Sequence, residues 1–569
     1  MTLQKINMLR YILIIICLLP TTVLGQDSWN QEGDLEDSQV IIEKNRKIDL
    51  PRINRDFKKV PEIKVNQSTV DVEFNSKQFV PNLNSLAPRI RVLTIQDEKL
   101  EKLYANQLKI GGGNYGASYL EGNFASKRSK DKSYGLNIYH QSFANGPIDK
   151  RNSGSGYQRV NPYGKMIFQK AVLSAEAFYE RHNNYLYGYD TALYSEVDRD
   201  TLQRTFHTIG ASVSLKDQNE SSRYHYTIDG DIYQLFTNIN NSEFSFDYNI
   251  KNKVDLNDDF ALYLNSDGFI SSLKFDLLDS AQSRNLLRFK TGVKFTREKL
   301  RIGLGLNMVH ENDTLEGMGK LHVYPDLNIN YAPFDKFSVF AGLKGDVRAN
   351  RYRNMLMENP YLDNTINIYN TLMPFQFYGG ATGSLSNFLG YEVGFSVASV
   401  RHNFGYEAIY SESQGEIRYR TKYFDQNNTE ANVYAALSTD IDKLRINIRG
   451  DYFYYNVGDT ELMPFRPSFI LKVNSEYWVA NKLNIGLNAH LQGRMNNANT
   501  IMEENANYSF NVNESIPPIY DLGIKLGYQL SNRSQVFLHA NNLIANKYEY
   551  YLGYPNRGFQ ILGGFTYSF

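Results

Sequence analysis

A single cysteine in 569 residues, Cys17, leaves no disulfide framework and no thiolate metal site to consider. Basic and acidic residues balance at 61 each, which removes the electrostatic case for binding nucleic acid. Tryptophan is nearly missing, with two copies against 42 tyrosines and 33 phenylalanines. Beyond Leu24 no apolar run is long enough for a membrane helix. That last absence leaves one kind of membrane protein open, because a transmembrane strand shows lipid only every second residue and keeps the mean hydropathy low, here -0.46.

What is present begins with an export leader. Lys5 and Arg10 precede the apolar stretch from Tyr11 to Leu19, which is too short for a stable anchor. Val23, Leu24 and Gly25 place cleavage after Gly25, so residues 1–25 are expected to leave as a signal peptide and take Cys17 with them. Ile16, rather than a small residue, stands before Cys17, which argues against a lipoprotein. Residues 26–98 are polar at first, with Val40, Ile41 and Ile42 ahead of a charged run and prolines at 51, 61, 81 and 88. This composition predicts a short, extended, partly disordered periplasmic arm. The alternative is an arm that enters a lumen or docks on a partner.

From residue 99 to 569 the pattern is alternation. Tyr520, Leu522, Ile524, Leu526, Tyr528 and Leu530 share one face, with Asp521, Gly523, Lys525, Gly527 and Gln529 on the other. The same period of two runs through Leu300–Met308, Leu444–Tyr454 and Leu483–Leu491. Tight turns near residues 440–443, 480–482 and 531–533 alternate with long polar loops at 456–467, 493–515 and 545–558. The expected fold is therefore all-β: a large transmembrane antiparallel β-barrel of about 22 strands, with short turns on the periplasmic side and long loops outside. Residues 351–375 and 401–430 break the alternation and carry no clear strand pattern.

The end of the chain carries a likeness to a known family. Val536–Ile544, then Lys547-Tyr548-Glu549-Tyr550-Tyr551, Gly553-Tyr554-Pro555 and a last strand closing on Phe569, resembles the end of TonB-dependent receptor barrels of the Bacteroidetes type. Gly564, Tyr567 and Phe569 stand where that resemblance implies the signal read by the outer-membrane assembly machinery. The family carries an N-terminal plug domain, and residues 26–97 are too short for one. The resemblance implies an outer-membrane transport component for an unidentified nutrient, with TonB or a separate periplasmic or surface protein as partner. The alternative is a structural or assembly subunit of an outer-membrane complex. Ser38-Gln39-Val40-Ile41-Ile42 faintly resembles the short box that engages TonB.

No cofactor is expected, and no enzyme activity. His140, His207, His225, His490 and His539 accompany no nucleophile motif and read as lumen or rim residues. Asp198 with Asp200 and Asp258 with Asp259 are the acidic pairs worth weighing for Ca²⁺, and their loose spacing reads as solvated turns, so no metal is assigned. The lumen face mixes Lys294, Arg301, Arg445, Arg449 and Lys525 with Asp229, Asp231, Asp451 and Asp521, which predicts no strong ion selectivity. Tyr548, Tyr550, Tyr551 and Tyr554 in the last long loop are candidates for contact with a ligand or a partner; their other reading is the interfacial aromatic girdle.

Overall fold

A computed structural model describes residues 104–127, 129–192, 197–219, 221–313, 321–410, 415–458, 463–480, 482–496 and 515–569. The expected leader, the arm and the Ser38–Ile42 box lie outside these residues. Strands are numbered β1 to β24 in chain order. Twenty-two of them form one antiparallel sheet in which each pairs with its neighbour in the meander. The sheet closes where β1 (Asn106–Gly113) pairs with β24 (Gln560–Ser568), with Lys109 opposite Thr566 and Gly111 opposite Gly564. A closed wall has no open edge, which is what allows strands to sit in lipid.

The alternation read from the sequence is the radial direction of the wall. In β11 (Leu300–Glu311) Leu304 and Leu306 are exposed, whereas Asn307 and Val309 on the other face are buried. β8 (Ser242–Asp255) repeats this with Phe244 and Phe246 outward and Glu243 and Ser245 inward. Exposed leucine, isoleucine, valine and phenylalanine along strand after strand form the belt that lipid covers. The chain is thus an outer-membrane β-barrel.

Short connections obey hairpin geometry. Glu298 and Asp442 take positive φ at the first turn position after β10 (Gln282–Arg297) and after β18 (Asn428–Ile441), the backbone sense that matches the right-handed twist of the flanking strands. Inside the wall, several aromatic rings lie where a neighbouring strand has glycine. Tyr263 covers Gly292 and Gly305, Tyr378 covers Gly342, Tyr434 covers Gly394, and Phe537 covers Gly564 and Gly111.

The two irregular stretches have different causes. Residues 401–430 hold a separate hairpin, β16 (Asn403–Tyr410) with β17 (Ile417–Phe424), which pairs only with itself and stands outside the 22-stranded sheet. Residues 349–370 form a strap with one short helix, Tyr352–Glu358.

Candidate functional site at the outer mouth

A wall of 22 strands encloses more space than its own side chains fill. Among the described residues the largest buried cluster lies at the end that carries the long loops. It joins Tyr185, Phe206, Tyr233 and Leu273 at the strand ends to Tyr187, Tyr352, Leu356, Tyr419, Phe465 and Tyr554 from the loops. An apolar core built from segments far apart in sequence thus stands at the outer mouth.

The strap is central to it. Leaving β13 (Phe337–Arg348), it runs inward and docks on the wall arc from β5 (Ala171–Tyr185) to β9 (Phe260–Lys274) before β14 (Thr371–Ser386). Its helix has no side-chain cap of its own at Arg351. The first amides are capped from across the lumen by Glu243, which accepts Tyr352 N–H at 3.1 Å and Arg353 N–H at 2.9 Å, and the Tyr233 hydroxyl at 3.1 Å. The carboxylate meets the unsatisfied, partly positive helix start, which is where a negative charge is best placed. Glu243 is 1% exposed, so no water replaces these donors.

Two arginines flank that contact. Arg351 pairs with Asp247 at 2.6 Å and lies 4.1 Å from the Phe269 ring centroid. Arg353 pairs with the buried Glu180 at 2.7 Å and sits against the rings of Phe178 and Tyr233. Asn241 donates to the Tyr352 hydroxyl at 3.0 Å and to the Asn364 carbonyl at 2.7 Å, fixing the far limb of the strap. Burial pushes the Tyr352 phenol up to about 12, so it remains a neutral donor and acceptor. At the base, Arg284 binds Asp313, the Asn350 carbonyl and Asn370, while Asn370 donates to Glu311.

Replacing Glu243 with Gln keeps the shape but swaps one acceptor oxygen for a donor that faces a backbone N–H of the helix start. The expected cost is about 2 kcal/mol of strap docking. Trypsin added to intact cells should then cut at Arg351 or Arg353 several-fold faster than in the native barrel; unchanged cleavage would show that Glu243 does not hold the strap.

Rings from the strap and from the other loops interlock. Tyr361 stacks on Tyr554 with centroids 3.5 Å apart, Tyr187 meets Tyr554 edge-on at 5.0 Å, and Tyr419 contacts Phe465 at 5.3 Å and Tyr551 at 5.2 Å. Tyr419 donates to the Leu552 carbonyl at 2.7 Å, and Tyr554 donates to that of Ile417. Gly188 and Gly553 permit this approach: a Cβ on Gly188 would strike the Tyr554 ring at 2.9 Å, and Gly553 has φ +81° with Ile417 2.7 Å from its Cβ position. Tyr361, Tyr419 and Tyr554 are raised well above the ordinary tyrosine value by burial and stay protonated. Tyr554→Ala empties the centre of this core, and a loss of about 3–5 kcal/mol of cap stability is expected. It would be read as faster hydrogen exchange in residues 417–424 and 545–555, with the transmembrane strands unchanged.

The four loop tyrosines singled out from the sequence divide. Tyr548 is buried and donates to Asp521 at 2.6 Å, Tyr551 packs against the cap and donates to the Glu358 carbonyl, and Tyr554 lies at its centre. Tyr550 alone of the four is exposed, at 41%, with its ring edge-on to Tyr548. At the seam, Gly564 lies beneath Phe537, while Tyr567 and Phe569 are exposed and stacked with centroids 5.9 Å apart. Phe569 exchanges both backbone hydrogen bonds with Asn106, at 2.9 and 3.2 Å.

The polar candidates fall elsewhere. His207 stacks between Tyr179 and Phe236 on the lipid-facing side, and His225 lies between Asp217 and Asp255. Asp198 caps a four-residue helix, and Asp258 and Asp259 sit in the turn before β9. No group of three or more metal-ligating side chains occurs among the described residues. Glu180, Glu243, Asp247 and the strap arginines were not singled out in advance. The acids' only local sign is a charge at an inward strand position, which is common along this chain, and the arginines lie in a stretch without a strand pattern.

No protein-family model and no curated protein matches the chain by sequence. Its fold has clear counterparts among solved structures. The FrpB iron transporter from Neisseria meningitidis superposes with TM-score 0.63 at 11% identity, over 83% of this chain and 82% of the other. The siderophore receptor PirA from Acinetobacter baumannii gives 0.61 at 10%, over 83% and 81%. The ferric-catecholate import receptor Fiu from Escherichia coli K12, in its closed form, gives 0.59 at 10%, over 82% of each. The chain shares the fold of these solved structures, a closed 22-stranded antiparallel barrel.

Proposed function

We propose that this chain is an outer-membrane uptake receptor whose outer mouth is closed by its own loops, with the latched strap 349–370 as the movable part. The observation that carries the reading is the docking of the strap on Glu180, Glu243 and Asp247. All three are acids on the inner wall, and all three are engaged by one loop. A subunit with a purely structural task needs no such crossing. Transport by the structural counterparts named above supports the same reading, and the solute is an unidentified nutrient. Engagement of TonB or of a separate periplasmic protein belongs to this proposal, as does contact of Tyr550 with a surface partner. Gly564, Tyr567 and Phe569 are proposed as the assembly signal, and residues 1–25 and 26–98 as leader and arm.

The test is solute entry into proteoliposomes. Native barrels should exclude small sugars, and barrels lacking the strap should admit them; equal exclusion by both would contradict the strap as the closing element.

A further inference from the structure

The short-turn end of the wall concentrates positive charge in one place. The turn between β2 (Ala117–Ala125) and β3 (Lys132–Phe143) reads Ser126-Lys127-Arg128-Ser129-Lys130-Asp131-Lys132, and the turn from β4 (Ser155–Ile167) to β5 adds Lys170. These neighbouring turns carry a run of cations against one acid, Asp131. Elsewhere on the rim the signs cancel. Glu298 precedes Lys299, Asp335 precedes Lys336 and Asp442 precedes Lys443. Lys299 also donates to the Pro333 carbonyl and Lys336 to the Asn387 side chain, both at 2.7 Å. The turn before β9 has the opposite sign, with Asp255, Asp258 and Asp259, and there Lys253 pairs with Asp255 at 2.7 Å. By contrast, Lys127, Lys130, Lys132 and Lys170 are exposed and form no ion pair with any described residue.

Strand register decides what lies beside these cations. Lys132 stands opposite Met166, and Tyr134 opposite Gly164, so Lys132, Tyr134 and Met166 share the outward face of the β3–β4 pair. Tyr134, Met166 and Phe168 are each more than half exposed, and they are the last large lipid-facing side chains before the turns. Lys132 is two residues from Tyr134, about 7 Å along the strand, and Lys130 and Lys170 follow at the turn tips. The lysines therefore begin where hydrocarbon gives way to headgroups, and their flexible stems can carry the ammonium groups to the level of lipid phosphates.

An occupant of this surface has to meet exposed apolar side chains and free cations together. An acidic peptide meets only the cations, and a zwitterionic lipid brings an ammonium group of its own to a place already positive. We propose that the rim from β2 to β5 is a binding site for an anionic phospholipid of the periplasmic leaflet. Its phosphodiester is held by Lys130, Lys132 and Lys170, and its acyl chains lie on Tyr134, Met166 and Phe168. The site is at the opposite end of the wall from the strap and is independent of the uptake reading.

The test is native mass spectrometry of the full-length barrel, released from detergent that carries equal amounts of dioleoyl phosphatidylglycerol and dioleoyl phosphatidylethanolamine. The native chain should retain the glycerol lipid over the ethanolamine lipid by about tenfold or more. Lys130→Gln with Lys132→Gln and Lys170→Gln should bring the ratio below about threefold. An equal loss of charge at other turns, Lys299→Gln with Lys336→Gln and Lys443→Gln, should leave it as in the native chain. Heat-modifiable migration verifies that each variant is a folded barrel. A preference that survives the first triple substitution, or that the second abolishes equally, overturns the site. Equal retention of both lipids by the native chain also overturns it. If Glu32→Gln, Asp34→Asn, Glu36→Gln and Asp37→Asn together then create a preference, the acidic segment of the arm is the occupant instead.

Discussion

Replacing residues 351–367 with a short glycine-serine linker is expected to turn a closed barrel into a conducting one. The linker removes Arg351, Tyr352, Arg353, Leu356, Tyr361 and Asn364 together, and with them each strap contact to Glu180, Glu243 and Asp247. The wall itself loses little. Its strands pair through backbone hydrogen bonds with their neighbours, and β13 and β14 remain joined to each other and to the strands beside them. In planar bilayers the native chain should show rare, small openings. The linker variant should conduct steadily, and cells producing it should become sensitive to antibiotics too large for ordinary porins. Glu180 keeps its pair with Arg159, whereas Glu243 is left with the Tyr233 hydroxyl alone, an under-bonded buried carboxylate that costs about 1–3 kcal/mol until water enters the mouth. A variant that folds and stays silent would move the seal elsewhere, to segments outside the described residues or to another protein.

The second large effect is expected at the seam. Deleting Phe569, or replacing it with Asp, should deplete folded barrel from the outer membrane several-fold. Phe569 and Asn106 exchange both backbone hydrogen bonds at the closing pair, and the ring stacks on Tyr567 at the lipid-facing surface. The deletion leaves the first and last strands one bonded pair short, and the Asp variant puts a charge at the membrane interface in place of a stacked ring, at a cost of about 1 kcal/mol or less beyond the lost stacking. Heat-modifiable migration of outer-membrane extracts measures the folded fraction. Native amounts of the Asp variant would show that this residue guides neither assembly nor closure.

How far the sequence reveals this architecture depends on the range of the interactions involved. Strand faces are legible because period two is local: Tyr520 to Leu530 alternates in the chain as it does across the wall, and the turn at Asp442 lies where the sequence places a tight connection. The strand number follows from counting such segments. The strap is not legible. Glu243 and Tyr352 are 109 residues apart, and nothing near either marks them as partners. The hairpin β16–β17 is hidden for a related reason. Its strands answer to the cap, with Tyr406, Tyr419 and Phe424 buried on loop neighbours, so they lack the lipid-facing alternation that identifies a wall strand. The tyrosines at 548 to 554 are conspicuous in the chain, yet the split between buried Tyr554 and exposed Tyr550 depends on Ile417, Tyr361 and Gly188, which come from three other segments.

The central claim is that residues 349–370 lie inside the mouth against the wall arc β5 to β9. Site-directed cross-linking tests it most directly, and the chain suits the method, since Cys17 is its only cysteine. With Cys17→Ser, Arg353→Cys and Glu180→Cys, a short bismaleimide applied to purified outer membranes should produce an intramolecular adduct of shifted mobility. Either cysteine alone should give none. Separate labelling of both cysteines by a monofunctional maleimide, with no bridged species, would contradict the account.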